Sequence, residues 1–246
     1  MGFQILVRRS AGVNFFGIIG IRYHFEVNYM KPLNKIKTVW SPSFAYAVGL
    51  LVTDGNLSNN GRHINFTSKD KQLAELFVKC LGIKNKIGMK SSGSTKEKKY
   101  CFVQFGDVDF YKFLEEIGLT QNKSKILQGI KIPSKYFFHF LRGHFDGDGI
   151  FYSYWDTRWK SSFMFYTVFL SASQKHILWI QDQIKVRLGI NGHITKSEKQ
   201  ACYQLKYAKE ESFKLLPKLY HHGNRLCLSR KYLKIKRALA IIDKRI

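Results

Sequence analysis

The sequence predicts an α+β fold built from two tandem copies of an αββαββα unit. Two apolar helices, at 43–57 and 136–150, each contain an internal glycine and each end in Asp-Gly. Each helix is followed by the same order of hairpins and helices, and the tripeptide LGI recurs at an equivalent place in both copies. We therefore divide the chain into an N-terminal extension of uncertain role at 1–40, a first repeat at 41–134 and a second repeat at 135–246.

The elements of the first copy alternate helices with hairpins. Ser41 and Pro42 suit the N-cap and first position of the opening helix. The run 59–61, Asn-Asn-Gly, separates two short strands and is a strong hairpin signal. Ser68 is placed to cap the next helix, and Gly82 to end it. The remaining elements are a hairpin at 84–105, a short helix at 108–117 and a helical turn at 119–127.

The second copy begins with Ser134 as the expected N-cap of its apolar helix. In both copies we expect the glycine of Asp-Gly, Gly55 or Gly149, to end the helix in the left-handed conformation. The first hairpin is longer here because it contains 155–162. The predicted elements are strands at 148–154 and 164–170, a helix at 173–188, strands at 193–197 and 201–207, a helical FKLL at 213–216 and a basic helix at 229–242.

The charge of the chain predicts a polyanionic partner. Lys and Arg total 41 against 17 Asp and Glu, a net charge of +24, which exceeds what solubility needs. Nucleic acid is the first candidate and an anionic membrane surface the second. The apolar run 12–21 follows two arginines but is too short to span a bilayer, which needs about 20 apolar residues. The run is therefore not expected to be a membrane span, and with nucleic acid as the first candidate we expect no membrane partner.

The cysteines argue against a zinc site and against an oxidising compartment. They lie on separate elements with no C-x-x-C pair, whereas zinc ligands cluster at short spacings. The adjacent histidines 221–222 have no metal partner at a useful spacing. Reduced thiols indicate an intracellular protein, in a bacterial or archaeal cytoplasm or in an organelle. The four residues are Cys80, Cys101, Cys202 and Cys227.

The acids at the two helix ends are the chemically unusual feature. The C-terminal end of a helix carries partial negative charge, so a carboxylate is unfavourable there unless a cation is present. Gly49 and Gly143, in the middle of the helices, suggest that the two backbones approach closely. If the helices pack together, Asp54 and Asp148 meet and repel each other unless a divalent ion or a proton intervenes.

These two segments resemble the motifs of a single-chain LAGLIDADG homing endonuclease. AVGLLVTDG at 47–55 and LRGHFDGDG at 141–149 carry the resemblance, which covers about residues 41–240. The first copy departs from the motif at Val52, where the second has Asp146. The family's metal-binding acid is the later one, Asp54 or Asp148, so the departure leaves that position intact. We expect Asp146 to be structural and to pair with a base such as Arg142.

The resemblance implies a pseudo-twofold molecule, with two antiparallel sheets that form a saddle over DNA and the motif helices packed at its centre. It implies that Asp54 and Asp148 bind Mg²⁺, a site that Mn²⁺ or Ca²⁺ can also occupy, and that they catalyse phosphodiester hydrolysis. Lys123 and Lys231 hold matching places late in the repeats and resemble the basic residues beside the scissile phosphate. An ordinary phosphate contact explains either lysine about equally well.

Polar residues on the predicted strands are the candidates for DNA contact, and strand parity decides which of them face the DNA. Arg and Lys can read guanine, and Asn and Gln can read adenine, in the major groove. Gln104 and Gln204 are also weaker candidates for orienting water. The candidates are Ser58, Arg62, Asn65, Thr67, Lys86, Lys90, Lys99 and Gln104 in the first copy, and Tyr152, Tyr154, Arg158, Lys160, Thr167, Lys196, Gln204 and Lys206 in the second.

The leading hypothesis is a monomeric, site-specific homing endonuclease. It would bind double-stranded DNA at a long, mostly asymmetric target and make a double-strand break with short 3′ overhangs, as the family does. A group I intron maturase that binds structured intron RNA is one alternative. A DNA-binding regulator with an inactive nuclease core is the other. Retention of both motif acids favours the enzyme, because a protein that only binds has no need of them.

Overall fold

The fold is described from a computed structural model of the chain. The described residues are 35–91, 99–159, 161–197, 201–220 and 226–243, and all belong to one compact unit that spans 32–246. Most of the predicted extension at 1–40, together with the histidines at 221–222, lies outside them. Within these ranges no helix has both the length and the apolar character needed to cross a membrane.

The first half of the described chain contains three helices and one four-stranded antiparallel sheet, here called sheet one. The strand order is β1-β2-β4-β3, so that each hairpin of the sequence forms one half of the sheet. The elements are α1 (Pro42–Asp54), β1 (Gly55–Leu57), β2 (His63–Ser68), α2 (Lys71–Leu81), β3 (Gly88–Ser91), β4 (Lys99–Gly106) and α3 (Val108–Glu116).

The second half repeats this arrangement around a second antiparallel sheet, sheet two, whose order is β5-β6-β8-β7. The equivalent order in both sheets agrees with the predicted duplication. A 3₁₀ turn at Ser134–Tyr136 leads into the second motif helix. The elements are α4 (Phe137–Asp148), β5 (Ile150–Trp155), β6 (Phe163–Ser171), α5 (Gln174–Leu188), β7 (His193–Ser197), β8 (Cys202–Tyr207), α6 (Lys209–Leu219) and α7 (Ser229–Ile241).

Each sheet buries one face against helices, and the core of the unit lies there. In β2 the pattern alternates, so that Ile64 and Phe66 are fully buried while Asn65 between them is half-buried. In β6, Phe165 and Phe169 point into the core in the same way. The opposite side of each sheet carries the other set of side chains and is called its open face below. The α+β prediction with two four-stranded antiparallel sheets is confirmed.

The motif helices α1 and α4 pack directly on each other through their glycines. A Cβ added at Gly49 would lie 2.8 Å from the backbone nitrogen of His144 and 3.0 Å from the Cα of Gly143. A Cβ at Gly143 would lie 3.2 Å from the Cα of Gly49 and closer still to the carbonyl oxygen of Tyr46. Any side chain at either position would force the two backbones apart. This contact brings the ends of the two helices together.

Several predicted helix ends differ in detail from the structure. Ser41 caps α1 as expected, with its Oγ accepting a hydrogen bond from Phe44 N at 3.1 Å. Ser134, however, starts the 3₁₀ turn, so it does not cap α4. Ser68 lies two residues before Asp70, the residue at the N-cap position of α2. The predicted helical turn at 119–127 contains turns but no helix.

The glycines that follow the motif helices are extended, so the expected left-handed stop is wrong. Gly55 has φ −88° and Gly149 has φ −65°. Both helices pass directly into a strand, and the sharp change of direction leaves no room for a side chain. A Cβ at Gly149 would lie 2.6 Å from the carbonyl oxygen of Phe145, and one at Gly55 would lie 2.7 Å from the Cα of Leu51. Glycine is needed for space here, while Gly82 and Gly189 are left-handed as a helix stop usually is.

Candidate active site

Asp54 and Asp148 are the last residues of α1 and α4 and lie together at one end of the crossed helices. Gly49 and Gly143, where the helices cross, each lie five residues before the acid of their own helix. The two acids are therefore at equivalent distances from the crossing. A Cβ at Gly147 would lie 3.3 Å from Asp54 Oδ2, which shows how close the first acid is to the backbone that carries the second. Asp54 is half-buried and Asp148 is exposed.

A buried lysine accompanies each acid. The ammonium group of Lys123 donates a hydrogen bond to the carbonyl oxygen of Gly55, at the end of α1. Lys231, on α7, donates to the carbonyl oxygens of Phe145 at 2.6 Å, Asp146 at 2.9 Å and Gly149 at 2.6 Å. Each lysine thus places positive charge at the negative pole of a motif helix. The cation that the helix ends require is provided in part by the chain itself.

The electrostatics of these four side chains are coupled. Burial, followed by the neighbouring carboxylate of Asp148, raises the pKa of Asp54 to about 7. Burial also raises the pKa of Asp148, although its side chain still reaches solvent, and both lysines oppose that rise. Burial lowers the pKa of Lys123 and lowers that of Lys231 to about 8, while the acids partly offset both effects. Two carboxylates are therefore held where their own negative charge is unfavourable.

The side chain of Asp146 is fully buried in the core, although its charge also acts on Lys231. Its carboxylate accepts hydrogen bonds from the Tyr46 hydroxyl at 2.9 Å, the Tyr220 hydroxyl at 3.0 Å and Leu228 N at 2.8 Å. It therefore joins α1, the end of α6 and the segment before α7. The predicted pairing with Arg142 stays a prediction. That guanidinium donates to the carbonyl oxygen of Leu219 at 3.0 Å.

Two pockets flank the acids, and they differ in character. One, of about 110 Å³, is lined by Lys123 and Asp148 together with two buried histidines, His144 and His176. The other, of about 470 Å³, is basic and is lined by Arg230, Lys231, Lys234 and the start of β5. Arg230 also forms an ion pair with Asp70, with Nη2 and Oδ2 2.6 Å apart.

Sequence reasoning missed Arg230 and Lys234. Both lie within three residues of Lys231 on one basic helix, and that spacing could have identified them. Sequence reasoning also missed Tyr166 and Asn56, which the register of the strands brings beside candidate residues.

Most of the predicted DNA-contacting residues lie on the open faces or on exposed loops. In sheet one, Asn65 lies opposite Gln104, and Lys90 lies opposite Tyr100. In sheet two, the register puts Tyr152, Tyr154, Gln204 and Lys206 on one face. Ser58 is next to Asn65, whose Nδ2 donates to its Oγ at 3.2 Å. Thr67 shares the open face of β2, while Arg62, Lys86 and Arg158 are exposed in loops.

Three of the predicted residues lie on the wrong side of their sheets. Thr167 is fully buried on the core face of β6 and accepts a hydrogen bond from Ser212 Oγ at 3.0 Å. Lys99 shares the side of Cys101 in β4, and Lys196 lies over the ring of Tyr203, 5.6 Å from its centroid. Their strand parity is opposite to that of the open-face residues, which corrects the prediction for all three. Lys160 lies outside the described residues.

No family model and no curated protein matches the sequence. Solved structures do match. The homing endonuclease I-WcaI, bound to its DNA recognition sequence, has a TM-score of 0.56 at 13% identity, over 81% of this chain and 88% of that one. I-DmoI in complex with DNA and Ca has a TM-score of 0.51 at 16% identity, over 79% and 97%. The chain has the LAGLIDADG homing endonuclease fold.

The LAGLIDADG fold is also present in a protein that is described without reference to cleavage. Full-length DUF199/WhiA from Thermatoga maritima matches with a TM-score of 0.50 at 15% identity, over 85% of this chain. The match spans 64% of the length of that protein. A shared fold does not decide activity, so the function has to be argued from the site. Among the described residues there is no cluster of three or more His, Cys, Asp or Glu side chains able to hold a metal.

Proposed function

We propose that this protein is a site-specific, Mg²⁺-dependent DNA endonuclease that makes a double-strand break with short 3′ overhangs at a long, asymmetric target. The observation that carries the proposal is the meeting of Asp54 and Asp148 at the end of the packed motif helices. A glycine pair holds the helices in contact, and a buried lysine accompanies each acid. A protein that only bound DNA would gain nothing from two repelling carboxylates in this place.

The two acids fit a magnesium ion. They offer hard oxygen ligands, and burial together with mutual repulsion raises the pKa of Asp54, so that a cation would relieve an unfavourable charge. Mg²⁺ is commonly held by one or two carboxylates, with waters and substrate phosphates completing its shell, and it does not need a third protein ligand. Bound there, it would activate water and neutralise the leaving oxygen of the phosphodiester. A structure of the similar I-DmoI contains DNA and Ca, which supports divalent metal use at such a site.

The lysines act as fixed positive charges beside the scissile phosphates. Lys231 is bound to several carbonyl oxygens, so its ammonium group is held in place by its hydrogen bonds. A pKa of about 8 leaves it mainly protonated at neutral pH. A preorganised charge of this kind stabilises the negative charge that develops on phosphorus oxygens in the transition state. The adjacent Arg230 and Lys234 would hold the DNA backbone next to the acids.

Double-stranded DNA is the partner that the open faces suit. The net charge of +24 supplies the long-range attraction to a polyanion. Two-stranded ribbons fit the major groove, and the amide groups of Asn65 and Gln104 can pair with adenine there. The similar I-WcaI is described with its DNA recognition sequence. No feature of the described residues favours intron RNA over duplex DNA.

The proposal is tested by selecting for cleavage. A library of plasmids with random inserts is incubated with the purified full chain and Mg²⁺, and linearised molecules are recovered and sequenced. We expect a single family of asymmetric sites whose ends carry 3′ overhangs, with no cleavage in chelator. The protein with Asp54→Asn and Asp148→Asn together should bind the recovered site but not cut it, whereas Asp182→Asn, at an exposed acid of α5, should cut normally.

The same experiment distinguishes the endonuclease from a DNA-binding regulator. If the wild-type protein binds one duplex tightly but never linearises it with Mg²⁺ or Mn²⁺, the endonuclease proposal fails and a DNA-binding regulator is favoured. If a chelator does not prevent cleavage, the metal assignment fails.

A further inference from the structure

Three tyrosines form a cluster on the open face of sheet two. Tyr152 lies directly opposite Tyr166 on the neighbouring strand, and Tyr154 lies two residues further along β5. The ring centroids of Tyr152 and Tyr166 are 5.1 Å apart, those of Tyr154 and Tyr166 6.3 Å, and those of Tyr152 and Tyr154 6.5 Å. Tyr154 is 44% exposed and the other two are half-buried. The tyrosine cluster is therefore open to a partner.

The rings of the tyrosine cluster present their edges outward. Their planes lie within 19° of parallel, so that each ring covers part of its neighbour's face. Side chains of a strand stand roughly perpendicular to the sheet, which makes the hydroxyl the outermost atom of each tyrosine. The pKa of Tyr166 is raised, first by its interaction with the Tyr154 hydroxyl and then by burial. The cluster therefore offers its hydroxyl groups to a partner, with those of Tyr154 and Tyr166 close enough to interact with each other.

The position of the tyrosine cluster relates it to the proposed cleavage site. β5 begins two residues after Asp148. At a strand rise of about 3.3 Å per residue, Tyr152 and Tyr154 lie about 13 Å and about 20 Å from that acid along the chain. At about 3.4 Å per base pair, these distances correspond to about four and about six base pairs from the centre of the target. The cluster would contact the outer part of one half-site.

The tyrosine cluster itself is uncharged, and its neighbours along the two strands on the open face are the apolar Met164, Ile150 and Val168. Charged groups lie at its margin: Asp156 contributes to the raised pKa of Tyr166, and Lys206 lies opposite Val168. A phenolic hydroxyl can both donate and accept a hydrogen bond, so it can pair with either kind of group on a base edge. An amide that pairs bidentately with adenine has a fixed pattern of one donor and one acceptor and rejects the other bases.

We propose that the tyrosine cluster binds the second half-site of the DNA target through its hydroxyl edges, and that it accepts more than one base pair at the positions it contacts. The inference rests on the proposed DNA-binding function and adds that the two half-sites are read with different strictness. Positions under Tyr152, Tyr154 and Tyr166 contribute affinity without selecting a single base. Because the cluster is neutral, its contribution does not depend on salt.

The test uses binding without cleavage. The wild-type full chain selects from a library of random duplexes in chelator, and the enriched sequences are aligned. The protein with Tyr152→Phe, Tyr154→Phe and Tyr166→Phe is then compared with wild type on the consensus duplex at several salt concentrations. Tyr203→Phe serves as the matched control, because that hydroxyl lies near Gln174 on the opposite side of sheet two.

The expected consensus has single preferred bases in one half and mixed bases at about four to six base pairs from the centre in the other. The triple variant should lose about 10-fold to 100-fold in affinity, since each neutral hydrogen bond contributes only modestly. The slope of log Kd against log salt should stay unchanged. The Tyr203→Phe protein should bind as wild type does, and all variants should unfold at the same temperature as wild type to within a few degrees.

Other outcomes overturn the inference. The triple Phe variant could bind as tightly as wild type while the matching triple Leu variant does not. DNA would then contact the aromatic rings by stacking and would not contact the hydroxyl groups. A single strictly preferred base at those positions also contradicts it, as does failure to enrich any sequence. A protein that passes these binding tests but never cuts DNA refutes the endonuclease proposal alone.

Discussion

The two sheets have the same strand order but present different chemistry beside the two acids. Two residues after Asp54, the register sets Asn56, Asn65 and Gln104 side by side across sheet one, a row of three amides. Two residues after Asp148, the same register in sheet two sets side by side Ile150, Val168 and Lys206. The strand order and register determine the position of each side chain, and the residue type determines what that side chain can bind.

This difference indicates how one chain could bind an asymmetric target. The row of three amides has the donor and acceptor pattern for adenine, whereas the exposed apolar side chain of Ile150 suits the methyl group of thymine. The ends of the two motif helices differ as well. Val52 stands where the second half has the buried Asp146. Within the described part of the chain, Lys123 donates to one carbonyl oxygen, whereas Lys231 donates to several. The two halves share the strand order of their sheets and differ in the side chains beside their acids.

The largest effect on stability is expected at the glycine contact between α1 and α4, where the two halves meet. Gly143→Ala would place a methyl group against the backbone of α1, which cannot move away as a flexible side chain could. We expect the free energy of unfolding to fall by about 3 kcal/mol, in the range of an overpacked core. Gly82→Ala is the matched comparison, because Gly82 is left-handed in open space. It should cost about 1 kcal/mol, as measured by urea unfolding.

If Gly143→Ala and Gly82→Ala lowered the free energy of unfolding equally, the packing of α1 on α4 would not depend on the glycine contact. That contact would then not fix the orientation of the two sheets.

A smaller effect is expected from the row of three amides. Asn65→Ala should weaken binding of the preferred duplex by about 2 kcal/mol and flatten the base preference in the first half-site, about two base pairs from the centre of the target. Ile150→Ala, at the equivalent row of sheet two, should change affinity less, because it removes apolar contact only. Competition binding with single-base variants of the target measures both. If Ile150→Ala lost more affinity than Asn65→Ala, the row of three amides would not be the stronger contact with DNA.

The smallest effect is the difference between Asp54 and Asp148 in how each makes the free energy of unfolding depend on pH. The folded-state pKa of Asp54 is raised to about 7 from 3.8, so its charged form destabilises the fold. In chelator, the wild-type protein should lose stability relative to Asp54→Asn as pH rises from 4 to 7, by about 1 kcal/mol after allowance for solvent screening. Above pH 7 the difference should stay constant.

Asp148→Asn should give a smaller difference than Asp54→Asn over the same range, because Asp148 is more exposed. Urea unfolding at a series of pH values checks this. Added Mg²⁺ should stabilise wild type above pH 7 and leave the double Asn variant unchanged. A larger effect at Asp148 would contradict the difference between the two ends.

The sequence predicted the repeats and the pairing of the acids because these depend on local signals. A glycine within an apolar helix and an Asp-Gly at its end can be read directly, and they recur. The sequence did not reveal in the same way which residues of β6 face the core. Its sequence FMFYTVFLS has apolar or aromatic residues on both faces, so the polar Thr167 was assigned to the open face although it is fully buried. In β2, HINFTS alternates clearly, and Asn65 and Thr67 lie on the open face of the sheet, as the alternation predicts.

The surroundings of the lysines also lay beyond the sequence. Lys231 and the carbonyl oxygen of Gly149 are 82 residues apart in the chain, and only the packing of α7 against the end of α4 brings them together. The extended glycines after the motif helices follow from the same crowding. Such features depend on tertiary contacts that no local pattern specifies.

The most direct test of a shared active site measures strand cleavage by the single acid variants. Asp54→Asn and Asp148→Asn are each incubated with Mg²⁺ and the selected duplex, labelled on either strand, and binding is measured in parallel. Because both acids form one centre, we expect each variant to bind like wild type and to lose double-strand cleavage by at least about 100-fold. A single variant that still cuts both strands at the wild-type rate would show that the two acids do not form one active site.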